Sequence, residues 1–159
     1  MRHFLLLAGL GMALVAGDSC AGGPPLLLAI AAARDAAESV RQLLDDGHAA
    51  DERDRRGMTA LMAAARTGAL DAMRVLLDAG ADPNARDHAN GWTPLLHAIH
   101  KRQAAAVRLL LERGADPNTR TDSETALMMA AADSDPAMVE LLLRHGADAR
   151  ARGRGGATA

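Results

Sequence analysis

The sequence predicts an all-α solenoid of four helix–turn–helix repeats joined by extended loops, with neighbouring units sharing one elongated core. Three observations carry this. First, 49% of the 159 residues are apolar, yet that mass is Ala, Leu and Met, with one Phe, one Trp and no Tyr. Such a composition suits close helix packing better than a β-sandwich, which draws on Val, Ile and aromatics. Second, stretches beginning at Leu26, Thr59, Thr93 and Thr125 align at spacings of 33, 34 and 32 residues, the self-similarity of a repeat architecture. Third, the aligned columns agree in type: Leu28, Leu61, Leu95 and Leu127; Ala31, Ala64, Ala98 and Ala130; Gly47, Gly80, Gly114 and Gly146.

Each element of one unit follows from local chemistry. In "TPLLHAIHK", Thr93 is a helix N-cap and Pro94 a first-turn proline. Leu95, Ala98 and Ile99 then form a short apolar face at helical spacing. In the second copy Arg66-Thr67-Gly68 breaks the unit into two helices. The second helix ends in Leu-Leu-x-x-Gly, whose Gly suits the left-handed position that stops a helix. "ADPNAR" and "ADPNTR" supply turn residues before the next Thr. Ala at inner positions lets units approach closely, and a single unit cannot bury its own apolar face, so the units must stack.

These residues resemble the ankyrin repeat. "RGMTALMAAARTG", "NGWTPLLHAIH" and "VRLLLERGADPN" match its pattern over about residues 26–150. The departures are Met62, Leu96 and Met128 for the family's His, Ser123 for the Gly before Thr125, and Asp35 and Ser134 for the inter-helix Gly. In the first copy Leu26-Leu27 stands where Thr-Pro belongs, as at end repeats. The resemblance implies β-hairpin inter-repeat loops, a non-enzymatic binding role, and a concave first-helix face that recognises a protein partner.

The first residues form a separate segment. Arg2 and His3 precede an apolar run from Phe4 to Ala16, followed by small residues, the layout of an export signal. The run is shorter than the ~20 residues needed to span a bilayer as a helix. We expect a signal peptide over residues 1–21, with cuts after Gly17 or Ala21 both compatible, and a linker over 22–25. Gly17-Asp18-Ser19-Cys20 partly resembles a lipobox; on that reading the signal ends before Cys20, which becomes a lipidated anchor, although Asp18 departs from the pattern. The richness in Ala, Arg and Gly suggests a bacterial gene, so the expected location is periplasmic or secreted, with a lipid anchor as the alternative.

Composition bounds the chemistry. A net charge of −2 gives no electrostatic reason to expect nucleic acid or an anionic membrane. One Cys excludes an intrachain disulfide and a cysteine-rich metal site. Gly153-Arg154-Gly155-Gly156 lacks the Lys and helix of a phosphate loop, and no Ser lies in a nucleophile context. Asp45-Asp46 and Asp51-Glu52 fall at helix ends and loops, where solvated charge is expected. We expect no catalytic residue, cofactor or resident metal. A His-based metal site using His88, His97 and His100 is the rival reading, and a membrane-tethered scaffold another.

The alignment sorts the remaining candidates. His97 shares a column with Ile30, Ala63 and Met129, so it is expected in the core with local partners for its ring nitrogens. His100 shares a variable column with Ala33, Arg66 and Ala132, which the resemblance places on the concave face. Trp92 aligns with Met58 and Glu124 at the hairpin tip, where an exposed Trp would anchor a partner; packing over the neighbouring loop is the alternative. Charge runs from Arg53, Arg55, Arg56 and Arg66 to Asp122, Glu124, Asp133 and Asp135, a gradient that would orient a partner. The expected partner-binding residues are Arg55, Arg56, Met58, Arg66, Trp92, His100, Lys101, Asp122, Glu124 and Asp133.

The fourth copy does not turn polar as a terminal cap would: Met128, Met129, Met138, Leu141 and Leu142 have interior character. The tail, residues 151–159, resembles the start of a truncated fifth repeat, because Thr158 follows Gly146 at the interval by which Thr59 follows Gly47; a featureless tail is the alternative. The first copy is also apolar from Leu26 to Ile30. One or both ends are therefore expected to be covered by a partner or, in a homodimer, by a second copy.

Overall fold

The computed structural model describes residues 25–153 and 158. The export signal, the linker up to residue 24, Cys20, and residues 154–157 and 159 of the tail lie outside the described residues. Helices come in four pairs: α1 (Pro25–Ala33) with α2 (Ala37–Asp45), α3 (Ala60–Thr67) with α4 (Leu70–Asp78), α5 (Pro94–His100) with α6 (Ala104–Glu112), and α7 (Ala126–Ala132) with α8 (Pro136–Arg144). The first helices stack as a row, α1 on α3 on α5 on α7, and α2, α4 and α6 stack as a second row.

The helix ends follow the expected chemistry. Thr59, Thr93 and Thr125 each accept a hydrogen bond on Oγ1 from the backbone N–H three residues on, at 3.3, 3.4 and 3.2 Å, and Pro94 occupies the first turn. Met62 and Met128, standing where the family has His, turn their sulfurs back to the N–H of Thr59 and Thr125. At the far ends Gly47, Gly80, Gly114 and Gly146 have φ between 87° and 98°. The residue after each returns its N–H to the last turn, as Ala81 does to Leu76 O at 3.0 Å.

The inter-helix turn needs a left-handed residue in every repeat, but only the second supplies glycine. Asp35, Arg102 and Ser134 occupy it with φ of 55°, 56° and 54°, so Arg102 joins the two departures visible in the sequence. Asp35 uses the position: its Oδ1 accepts from Ala72 N–H at 2.9 Å, capping α4 of the next repeat, whose own N-cap, Ala69, has no side-chain acceptor.

The core is one continuous stripe. Leu28, Leu61, Leu95 and Leu127 are buried, as are Ala31, Ala64, Ala98 and Ala130, and Leu76, Leu110 and Leu142 close it from the second row. Each buried Leu contributes roughly 1.5–3 kcal/mol. Polar ties join the loops across repeats. Asp82 N–H donates to Asp51, Asp116 N–H to Asn84 Oδ1, and Asp148 N–H to Asn118 Oδ1. Asn84 and Asn118 donate in turn to Gly114 O and Gly146 O. Arg53 donates to Gly57 O and Arg86 O, and Arg86 to Gly91 O and Arg120 O. Asp51 and Glu52 are therefore not solvated charges: both are half-buried, and Glu52 accepts from Ala49 N–H and pairs with His48.

The hairpin loops carry little ladder. Arg53 and Thr59 form one antiparallel bridge and Arg120 and Thr125 another; the middle loop closes through Asp87 N–H to Trp92 O at 2.9 Å. Side-chain oxygens shape all three tips. Asp54 accepts from the N–H of Arg56 and Met58, Asp87 from Asn90 and Trp92, and Thr121 from Ser123 and Glu124. At the fourth repeat the core columns open. Val139 is half-buried and Ala131 exposed, where Val107 and Ile99 are buried one repeat earlier, and Leu143 is 43% exposed. Gly153 lies against the preceding loop so closely that a Cβ there would sit 2.7 Å from Ser123 O.

Candidate partner-binding face

The middle hairpin and its helix form a compact polar–aromatic cluster. Asp87 is 5% exposed and His97 7%. The His97 Nε2–H donates to Asp87 Oδ2 at 2.9 Å; because a carboxylate only accepts, this bond fixes the proton on Nε2. Asp87 Oδ1 meanwhile holds the N–H of Asn90 at 2.8 Å and of Trp92 at 3.3 Å. The Trp92 ring leans on His97 with centroids 5.3 Å apart and meets His100 edge-on at 5.2 Å. One buried carboxylate thus shapes the loop, orients the imidazole and sets the indole.

The electrostatics agree with that geometry. Burial pushes the His97 pKa down, and the nearby charges of Arg66 and His100 add to this, outweighing the opposing hydrogen bond and charge of Asp87. Burial acts on Asp87 in the raising direction. The hydrogen bonds from Asn90, His97 and Trp92, with the charge of His97, overcome it and hold the carboxyl below the ordinary range.

The expected binding residues fall into three groups. Trp92 does not stand free at the tip: it is half-buried and packs on the core beside its own helix, because the Asp87 turn draws the loop back onto α5. Met58 is likewise half-buried, with its sulfur 3.9 Å from Arg66 Nη1. The loop column and the helix-end column therefore meet in successive repeats, Met58 with Arg66 and Trp92 with His100. Arg55, Arg56, Arg66, His100, Lys101, Asp122 and Glu124 are exposed. His88 N–H donates to Arg56 O at 2.8 Å, tying the first tip to the second loop.

Two expected charges are spent inside the fold. Asp133 pairs with Arg102 at 3.2 Å, and Asp135 caps α8 by accepting from Met138 N–H. Arg53, counted at the basic end, gives its guanidinium to carbonyls. The gradient that remains runs from Arg55, Arg56 and Arg66 to Asp122 and Glu124, with Lys101 exposed as a further cation after α5. Among the described residues no three His, Cys, Asp or Glu side chains gather as a ligand set, and the His88 ring lies against Gly57. Asp87 was not singled out in the sequence; the signal was its column, where Asp54, Asp87 and Thr121 precede each helix-capping Thr by four to six residues.

Known proteins share this pattern. A family model described as "Ankyrin repeats (3 copies)" matches residues 26–121, and a second, "Ankyrin repeats (many copies)", matches 103–143. The human "Ankyrin repeat domain-containing protein 63" is 36% identical over 143 residues, covering 83% of this chain and 37% of that protein. A "Putative ankyrin repeat-containing protein" of Treponema pallidum is 43% identical over 79 residues, 49% of this chain and 26% of its own length. Mouse "Protein phosphatase 1 regulatory subunit 12A" is 44% identical over 61 residues, 38% of this chain and 6% of that one. The chain thus spans well under half the length of these relatives. With a stacked series of capped helix pairs, and with one family model matching more than half of its residues, the chain belongs to the ankyrin repeat family.

Proposed function

We propose that this chain is a non-enzymatic binding module of an exported bacterial ankyrin-repeat protein, gripping a protein partner through its loop tips and first-helix face. Ankyrin repeats are protein–protein interaction modules, and the observation that carries the reading is the Trp92 cluster. The only Trp of the chain is held half-exposed on a rigid support, with its backbone N–H and carbonyl committed to Asp87. An aromatic ring with little conformational freedom left to lose suits an interface anchor. The likeness to a phosphatase regulatory subunit supports a role as accessory to an enzyme, which this chain would sequester, inhibit or protect.

Export rests on the residue pattern before Gly22, with lipidation of Cys20 as the tethered alternative. The open end at Ala131, Val139 and Leu143 supports a further contact there, with a partner or with a second copy of the chain.

Affinity capture from the periplasmic fraction tests the reading, run with wild type, Trp92→Ala and Cys20→Ala. The captured partner is expected to be lost with Trp92→Ala. A partner retained undiminished by Trp92→Ala, Arg56→Ala and His100→Ala would place binding elsewhere. Retention of wild type in membranes, with release of Cys20→Ala, would make the protein a lipid-anchored scaffold.

A further inference from the structure

We infer that the face of the second and third repeats docks an acidic segment of the partner protein, with one apolar side chain of that segment seated against Trp92; this rests on the protein-binding reading above. The argument begins with unpaired charge. Arg55 and Arg56 at the first tip, Arg66 near the end of α3 and Lys101 after α5 are all exposed, and none forms an ion pair within the described residues. On the second-helix row most guanidiniums are paired: Arg41, Arg74, Arg113 and Arg144 each lie 2.5–3.1 Å from a carboxylate of this chain, and Arg108 is the isolated exception.

The carboxylates interspersed with these cations in sequence do not offset them by direct pairing. Asp54 is bound to two N–H groups of its own loop, and Asp87 is buried against His97. The cations also belong to one band. The first tip is hydrogen-bonded to the second loop through His88 and Arg56, Arg66 reaches the sulfur of Met58 at that tip, and α3, which carries Arg66, stacks on α5, which ends at His100 and Lys101. Trp92 and His100 sit within that band.

The band has an end. Asp122 and Glu124 are exposed at the third tip, where they outnumber Arg120 of the same loop, and Asp133 is paired with Arg102. A uniformly charged polyanion such as nucleic acid would be repelled there, and the chain as a whole carries −2. A polypeptide can match the pattern by placing Asp and Glu opposite repeats two and three and neutral or basic residues opposite repeat four. Charge complementarity of this kind sets register and speeds encounter.

Panning a phage-displayed library of random dodecapeptides on the full chain tests the inference. Enriched peptides are expected to be rich in Asp and Glu around one apolar or aromatic residue. Their affinity should fall about tenfold or more for Arg55→Glu/Arg56→Glu and for Lys101→Glu, and fall with added salt. Arg108→Glu on the second-helix row should leave affinity unchanged, and circular dichroism should show each variant folded. Neutral or basic peptides that still depend on Trp92 would overturn the acidic partner and leave the binding face intact. Displacement of the peptides by single-stranded DNA at equal or lower concentration would overturn it in favour of nucleic acid. No enrichment, or enrichment indifferent to Trp92→Ala and to every charge change, would overturn both readings.

Discussion

At the residue scale the Asp87–His97 pair is the most consequential feature of this chain. Each partner is costly to leave alone. Removing the imidazole strands Asp87 Oδ2, and removing the carboxylate strands His97 Nε2, Asn90 N–H and Trp92 N–H. A buried group left without its partner costs about 1–3 kcal/mol. We therefore expect Asp87→Ala and His97→Leu each to lower stability by about that much, and the double variant to lose clearly less than the two together, measured by urea titration. The pair also sets a pH dependence. The folded-state pKa of His97 lies below its ordinary value of 6.5, so on acidification the unfolded chain takes up this proton first. Stability should fall as pH drops through about 6.5 and level off below the folded-state pKa. Asp87, depressed below 3.8, adds stability above that value which is lost as pH falls through its own folded-state pKa. His97→Gln keeps an N–H donor but does not titrate; its near-neutral slope should be flatter than that of wild type. An equal slope would locate the dependence in another group.

At the element scale, the inter-helix turns show how tolerant the repeat is and what tolerance costs. A non-glycine residue in the left-handed region is strained by about 1 kcal/mol or more. At Asp35 the cap on Ala72 N–H offsets the strain, whereas at Arg102 the solvent-exposed pair with Asp133 offsets only part of it. Ser134 is exposed and makes no side-chain hydrogen bond among the described residues. We expect Ser134→Gly to stabilise the protein by about 0.5–1 kcal/mol, read as a raised thermal midpoint. Asp35→Gly should gain little, because it relieves strain and removes a cap in one step. The hairpins are set by side chains more than by ladders. With only two isolated bridges among the described residues, the turns accepted by Asp54, Asp87 and Thr121 hold the tips in place.

At the scale of the whole molecule, stability is expected to be graded. The second and third repeats are covered on both sides, while the fourth exposes Ala131 and Leu143 and leaves Val139 half-covered. In a stack each unit leans on its neighbours, so the ends should open first. Hydrogen exchange should find the slowest amides in the hydrogen-bonded turns of α3 and α5, around Ala65 and Ile99, and faster exchange in α8. Uniform protection along the chain would mean that the outer repeats are supported by contacts beyond those described. The same gradation suits binding, because the charged band and Trp92 lie on the two repeats held most firmly.

Much of this architecture is written locally. Thr before the first helix, Gly after the second and Leu and Ala between them recur at a fixed period, and a short helix pair that cannot bury its own face has to stack. The four repeats, the Thr caps of the last three and the core columns therefore follow from pattern alone, as does the placing of His97 in an apolar column. What depended on distance along the chain was hidden. Asp87 reaches His97 only because the loop folds back on α5, Arg53 reaches Arg86 O one repeat away, and Arg102 neutralises Asp133 across a turn of the stack. Those contacts decided which charges remain for a partner and turned Trp92 from a free loop tip into a supported, half-buried ring. Periodicity fixes which residues face inward, but a charge is spent or left over according to what the stacked neighbour brings within reach.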